Sequence, residues 1–146
     1  MPTRTARTAW NGSLETGGGQ VELSSSKLAT FDVSFPKRAA EEANGFTSPE
    51  ELLAAAHSAC YAMQLSAMLG GAGGTVESLD VKADVSLGPD PAGGFKLTGI
   101  ALTVRGEVTG IDEATFLQCA TDAKATCPVS KALTGVDITL DAALEQ

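Results

Sequence analysis

Residues 52 to 69 carry no formal charge, and the stretch is bounded by Ser48-Pro49-Glu50-Glu51 before it and Gly70-Gly71 after it. Those bounds spell a helix. Ser48 can cap, Pro49 at the first helical position has no N–H to lose, the two acids favour the positive end of the dipole, and the glycines end the run. About 18 uncharged residues is also the length of a membrane span. His57, Ser58, Gln64, Ser66 and six alanines argue against a lipid-facing helix. They point to a central helix buried on most sides, whose alanines let another backbone approach closely.

The segments around this helix read as strands and short helices. Residues 3–10 and 20–35 hold β-branched and aromatic runs, among them Trp10, Val21, Phe31, Val33 and Phe35, and predict two or three antiparallel strands. Gly17, Gly18 and Gly19 stand between them as a hairpin turn, since no helix pattern opens after them and a phosphate cradle needs one. Residues 36–48 have no sustained period and predict a loop of about a dozen residues that contains Arg38. Residues 76–87 and 95–108 alternate apolar and polar, joined by a Gly-Pro-Asp-Pro-Ala-Gly-Gly turn, and predict a long hairpin. Asp112 then caps a helix to about Thr126, Pro128 opens a short turn to about Leu133, and residues 136–140 alternate as a closing strand. No repeat and no linker divides residues 1–146, so a single α+β domain with antiparallel sheets is expected.

With 146 residues and 43% apolar content the chain can build a real core. Ten basic against eighteen acidic side chains leave a net charge of −8, which excludes a general nucleic-acid or anionic-membrane surface. Three cysteines, an odd number, make no disulfide scaffold, and no basic and apolar leader opens the chain, so a reducing cytoplasm is expected. The thiols then become candidates for chemistry. Cys60 sits within the uncharged helix with Leu53, Ala56, His57, Met63 and Gln64 on its face, and read alone it is a core thiol. Cys127, directly before Pro128, takes a cap position where free N–H groups favour a thiolate. Cys119 lies mid-helix and reads as packing. A single His and no Cys-x-x-Cys leave no metal module, and His57, three residues before Cys60, reads as structural more readily than catalytic.

Residues 47–61, Thr-Ser-Pro-Glu-Glu-Leu-Leu-Ala-Ala-Ala-His-Ser-Ala-Cys-Tyr, and residues 127–133, Cys-Pro-Val-Ser-Lys-Ala-Leu, resemble the motifs of the OsmC/Ohr family of organic hydroperoxide reductases, with the OsmC branch the nearer. Residues 35–39, Phe-Pro-Lys-Arg-Ala, resemble that family's arginine loop. The resemblance implies an OsmC-like fold and a thiol peroxidase without flavin, haem or metal, in which Cys60 is oxidised by the hydroperoxide and Cys127 resolves it. Arg38 and Glu50 match the activating pair. An organic hydroperoxide is the implied substrate, an external dithiol the implied reductant, and Phe35, Phe46, Leu53 and Met63 are expected pocket walls. The chemistry of the residues agrees: a buried thiol has its pKa raised, so it needs a permanent cation beside it, and a carboxylate can hold a guanidinium bidentately.

Ten residues of helix separate Glu50 from Cys60, roughly 15 Å of rise, too far for both to serve one guanidinium on one chain. Two copies of the helix packed antiparallel about a two-fold near residue 55 bring Glu50 of one chain beside Cys60 of the other, so an intertwined homodimer is expected. Two other readings stay open: a non-enzymatic redox sensor using the same cysteine pair, and a structural domain with three core thiols. A peroxiredoxin is set aside, because no Thr-x-x-Cys precedes Cys60.

Overall fold

The computed structural model describes residues 1–145 and divides the chain into two compact units, Met1–Leu52 and Leu53–Gln146. In the first, β1 (Arg7–Asn11), β2 (Gly18–Glu22) and β3 (Thr30–Val33) form an antiparallel sheet in the order β1-β2-β3. The hairpin turn falls at residues 12–17, closed by the Gly17 N–H donating to the Ser13 carbonyl at 2.8 Å. Gly18 and Gly19 are therefore strand residues and not turn residues as expected. Gly19 faces Trp10, and a Cβ there would strike the Ala9 carbonyl and lie 3.1 Å from the Trp10 ring.

The expected loop at 36–48 begins with a turn of helix, α1 (Phe35–Arg38). Ser34 caps it, accepting from the Lys37 N–H at 3.3 Å, and Pro36 suits its first turn. One polar turn is too short to leave a period in the sequence, which is why the pattern hid it. Its return to the sheet is pinned where the Thr47 N–H donates to the Asp32 carbonyl at 3.1 Å.

Helix α2 (Pro49–Gly71) opens as read, with the Glu51 N–H donating to the Ser48 hydroxyl at 3.1 Å. In the second unit β4 (Thr75–Pro89) and β5 (Phe95–Thr109) form the long hairpin. Asp112 caps α3 (Glu113–Thr126) by accepting from the Thr115 N–H at 2.8 Å, α4 is Pro128–Ala132, and β6 is Ile138–Glu145. The fold is mixed α+β. One strand departs from the antiparallel expectation: β6 lies parallel to β5, Ile138 beside Ile100, because α3 and α4 supply the crossover that a parallel neighbour requires.

The core of this unit takes one stripe from α2, Tyr61, Leu65 and Leu69 with His57 at its head, spaced by four. It is completed by Leu102, Val104 and Val108 of β5, by Phe116, Ala120 and Ala123 of α3, and by Cys127. The helix is thus buried on one face only, where burial on most sides was expected. Ala55, Ala56, Ala59, Met63, Ser66 and Ala67 are exposed, although the helix has the length and hydropathy of a membrane span.

Gly106 shows how tight the core is, since a Cβ there would lie 2.7 and 2.9 Å from the buried Phe116 ring and 3.0 Å from Leu79. A rigid ring cannot yield as a flexible chain end does. Gly106→Ala is expected to lower stability in urea unfolding by about 2 kcal/mol, and Phe116→Leu in the same chain to recover part of that loss.

Candidate active site

The four residues singled out in the sequence fall into two pairs, one in each unit. In the first unit, α1 presents Arg38 from its last turn and α2 presents Glu50 from its first. The Arg38 Nε donates to Oε1 and Oε2 of Glu50 at 3.2 and 3.1 Å, and Nη2 donates to Oε1 at 2.7 Å. This is a bidentate pair, with fixed orientation as well as charge. Burial alone pushes the Glu50 carboxyl up. The hydrogen bond from Arg38, the backbone at the helix start, the guanidinium charge and the Ser48 hydroxyl together outweigh burial and hold it below the ordinary carboxylate value. The hydrogen bond to Glu50 pushes Arg38 up, against partial burial.

Arg38 also lines a cavity of about 190 Å³ in the same unit, walled by Trp10, Leu14, Val21, Phe35 and Leu52 among others. Of the four expected walls only Phe35 is there. Phe46 borders a different groove under the Lys37 ammonium, Leu53 is no part of the cavity, and Met63 is 73% exposed.

In the second unit α2 and the α3–α4 junction bring two thiols together. Cys127 caps α4 with φ −55° and ψ 126°, as its place before Pro128 predicted, and its Sγ lies 2.9 Å from the Sγ of Cys60. Both are free thiols, where a disulfide would measure about 2.05 Å. Burial pushes Cys127 up, but the hydrogen bond with Cys60, the Ser130 and Val129 N–H groups and the Ser130 hydroxyl bring it below the ordinary thiol value. Burial, the hydrogen bond to Cys127 and the Cys127 charge push Cys60 up, with only the Val129 N–H opposing. The two thiols titrate as a coupled pair whose surroundings oppose charge at Cys60 and favour it at Cys127. Among the described residues of the second unit, no cation figures among the groups that act on Cys60.

A family model described as OsmC-like protein matches residues 42–141. The chain is 46% identical over 132 residues to Peroxiredoxin OsmC of Escherichia coli strain K12, covering 90% of each. The chain belongs to the OsmC-like family. The relationship makes this OsmC-like chain a peroxidase-type enzyme. Among solved structures, it resembles the organic hydroperoxide resistance protein OsmC of Legionella pneumophila at 28% identity and TM-score 0.75, covering 98% of each chain. It also resembles OhrB of Bacillus subtilis at 29% identity and TM-score 0.73, covering 95% of this chain and 98% of that one.

Two further residues of the OsmC-like chain stand beside the thiols. His57 is fully buried, its Nε2 is 2.7 Å from the Ser130 hydroxyl, and its Nδ1 has no partner. Burial pushes its pKa down. Ser130 escaped the sequence reading, and its only signal was its place three residues after Cys127. Cys119 packs against the core as expected, its Sγ directed at the Met68 carbonyl at 3.9 Å. Among the described residues no cluster of three or more His, Cys, Asp or Glu is placed to hold a metal ion.

The depressed Glu50 value has a consequence for stability. Its contribution is fully present above the unfolded-state value of about 4.3 and is lost as pH falls through the lower folded-state value. Glu50→Gln is expected to remove that part of the acid sensitivity and to cost about 1 kcal/mol at neutral pH, moderated by solvent at the one-third-exposed Arg38. Urea midpoints between pH 7 and 3 check both.

Proposed function

We propose that the chain reduces organic hydroperoxides to alcohols through a Cys60 sulfenic acid and a Cys60–Cys127 disulfide. The observation that carries this reading is the 2.9 Å separation of two free thiols in unlike electrostatic settings. The Cys60 thiolate attacks the outer peroxide oxygen, the O–O bond breaks, and the alkoxide leaves as an alcohol after taking up a proton. Cys127 sulfur then attacks the sulfenic sulfur, forming the S–S bond as hydroxide leaves and is protonated to water. An external dithiol reduces the disulfide by two exchanges. The two solved relatives that are named for organic hydroperoxide resistance support that substrate class. The apolar cavity with Arg38 in its wall supports an alkyl group on the peroxide. Three free thiols fit a reducing cytoplasm.

Attack needs the negative charge at Cys60, whereas burial and Cys127 push that thiol up. A guanidinium brought to Cys60 reverses this. The helix rise that separates Glu50 from Cys60 of its own chain supports a partner subunit's Arg38–Glu50 pair as the source. The exposed alanine face of α2 supports a homodimer packed on that helix.

With tert-butyl hydroperoxide and a dithiol, the wild type is expected to consume many equivalents of peroxide. Cys60→Ser abolishes consumption, and Cys127→Ser allows one oxidation without a disulfide. Consumption that stops near one equivalent with reductant in excess identifies a redox sensor instead. For the dimer, an Arg38→Ala chain and a Cys60→Ser chain are each expected to be inactive. Refolded together they regain about a quarter of wild-type activity, since half the dimers are mixed and each holds one complete site. No recovery means that each Arg38 serves its own chain.

A further inference from the structure

His57 is a buried titratable side chain that the mechanism above does not use, and its contacts are specific. One ring nitrogen, Nε2, meets the Ser130 hydroxyl at 2.7 Å, while Nδ1 is enclosed without a partner. Burial favours the neutral ring, which carries one proton. An enclosed N–H without an acceptor costs more than an enclosed lone pair without a donor. The proton therefore belongs on Nε2, and the Ser130 oxygen accepts it. That leaves the hydrogen of Ser130 free to point elsewhere, and Ser130 is the third residue of the helix that Cys127 caps, from where its side chain acts to lower the Cys127 thiol. Among the described residues, the titratable groups that interact with that sulfur are Cys60 and Tyr61, both on α2.

We propose that His57 and Ser130 form a buried relay of hydrogen bonds, Nε2–H to Ser130 Oγ and Ser130 Oγ–H to Cys127 Sγ, that positions a donor on the resolving sulfur. No proton is transferred along it. It holds Cys127 ready to attack the sulfenic sulfur once Cys60 has been oxidised. Its role in resolution rests on the function proposed above, whereas its effect on Cys127 does not. His57 and Ser130 are positioning residues. A hydroxyl placed by chance would rotate among its neighbours, but the histidine occupies the oxygen from one side and leaves the hydrogen for the Cys127 sulfur.

The test titrates Cys127 by thiolate absorbance near 240 nm in the full chain carrying Cys60→Ser and Cys119→Ala, which leaves it the sole thiol. Ser130→Val is expected to raise the midpoint by about one unit, a tenfold loss of thiolate at a given pH below it, whereas Ser130→Thr, with the same shape and a hydroxyl, stays near wild type. His57→Leu raises the midpoint, and His57→Gln, whose amide N–H can reach the Ser130 oxygen, lowers it again. If Val and Thr at 130 shift the midpoint alike, or Leu at 57 leaves it in place, the relay is overturned. With all three cysteines present, the same substitutions are expected to slow disulfide formation about tenfold while Cys60 sulfenic acid, trapped with dimedone, forms at the wild-type rate. Wild type that forms no sulfenic acid overturns the proposed function and leaves the titration to judge the relay by itself.

Discussion

The four-residue spacing of His57, Tyr61, Leu65 and Leu69 along α2 is the constraint on which the second unit depends. It meets a matching stripe on α3, Phe116, Ala120 and Ala123, which Cys127 continues beyond the helix end. Burying each large apolar side chain is worth about 1.5–3 kcal/mol. The buried Tyr61 hydroxyl adds direction, since it must find an acceptor and finds the Ala120 carbonyl at 2.9 Å. The small residues at 120 and 123 let the helices come close, and Gln64 ties them beside the thiols by donating to Thr126 at 3.1 Å. Cys60 precedes Tyr61 and Cys127 ends the α3 stripe, so the packing that satisfies the tyrosine also sets the distance between the sulfurs.

Those features were legible where local rules decide them. Asp112, Ser48 and Ser34 each cap by bonding an N–H within three residues, and Cys127 before Pro128 can only stand at a helix start; of these, Ser34 was missed because α1 is a single turn. The hairpin β4–β5 announced itself by alternation. What escaped depends on distant partners. The parallel pairing of β6 with β5 is set by a crossover, and Ala142 and Ala143 blur its alternation beyond residue 140. The cavity beside Arg38 is walled by Trp10, Leu14 and Val21, which no spacing links to residue 38. The one-sidedness of α2 was hidden because alanine is as compatible with a core as with a surface, so composition could not tell which face stays open.

Charge at the thiols follows from the same packing. An apolar helix disfavours a thiolate at Cys60, and among the described residues only the Val129 N–H opposes that. Cys127 is the more enclosed of the two but sits where the chain changes direction, so backbone N–H groups and Ser130 are free to point at its sulfur. A helix interior has no such donors to spare, since its N–H groups are bonded to carbonyls four residues back. The asymmetry between the two sulfurs is a property of where each lies along its helix.

On the proposed mechanism this asymmetry serves both half-reactions in turn. While both thiols are reduced, the resident donors favour charge at Cys127, and a partner guanidinium must outweigh them to place it at Cys60. The guanidinium can do so because full charges act more strongly than dipoles, and because Arg38 and Glu50 are already locked in orientation. Oxidation then converts Cys60 to a neutral sulfenic acid, and the competition ends. The donors at Cys127 have not moved, and with no negative neighbour opposing them they hold the second thiolate 2.9 Å from the oxidised sulfur's place. No rearrangement of the fold is needed to pass from attack to resolution, since the chemistry of the first step itself removes the charge that held the second one back.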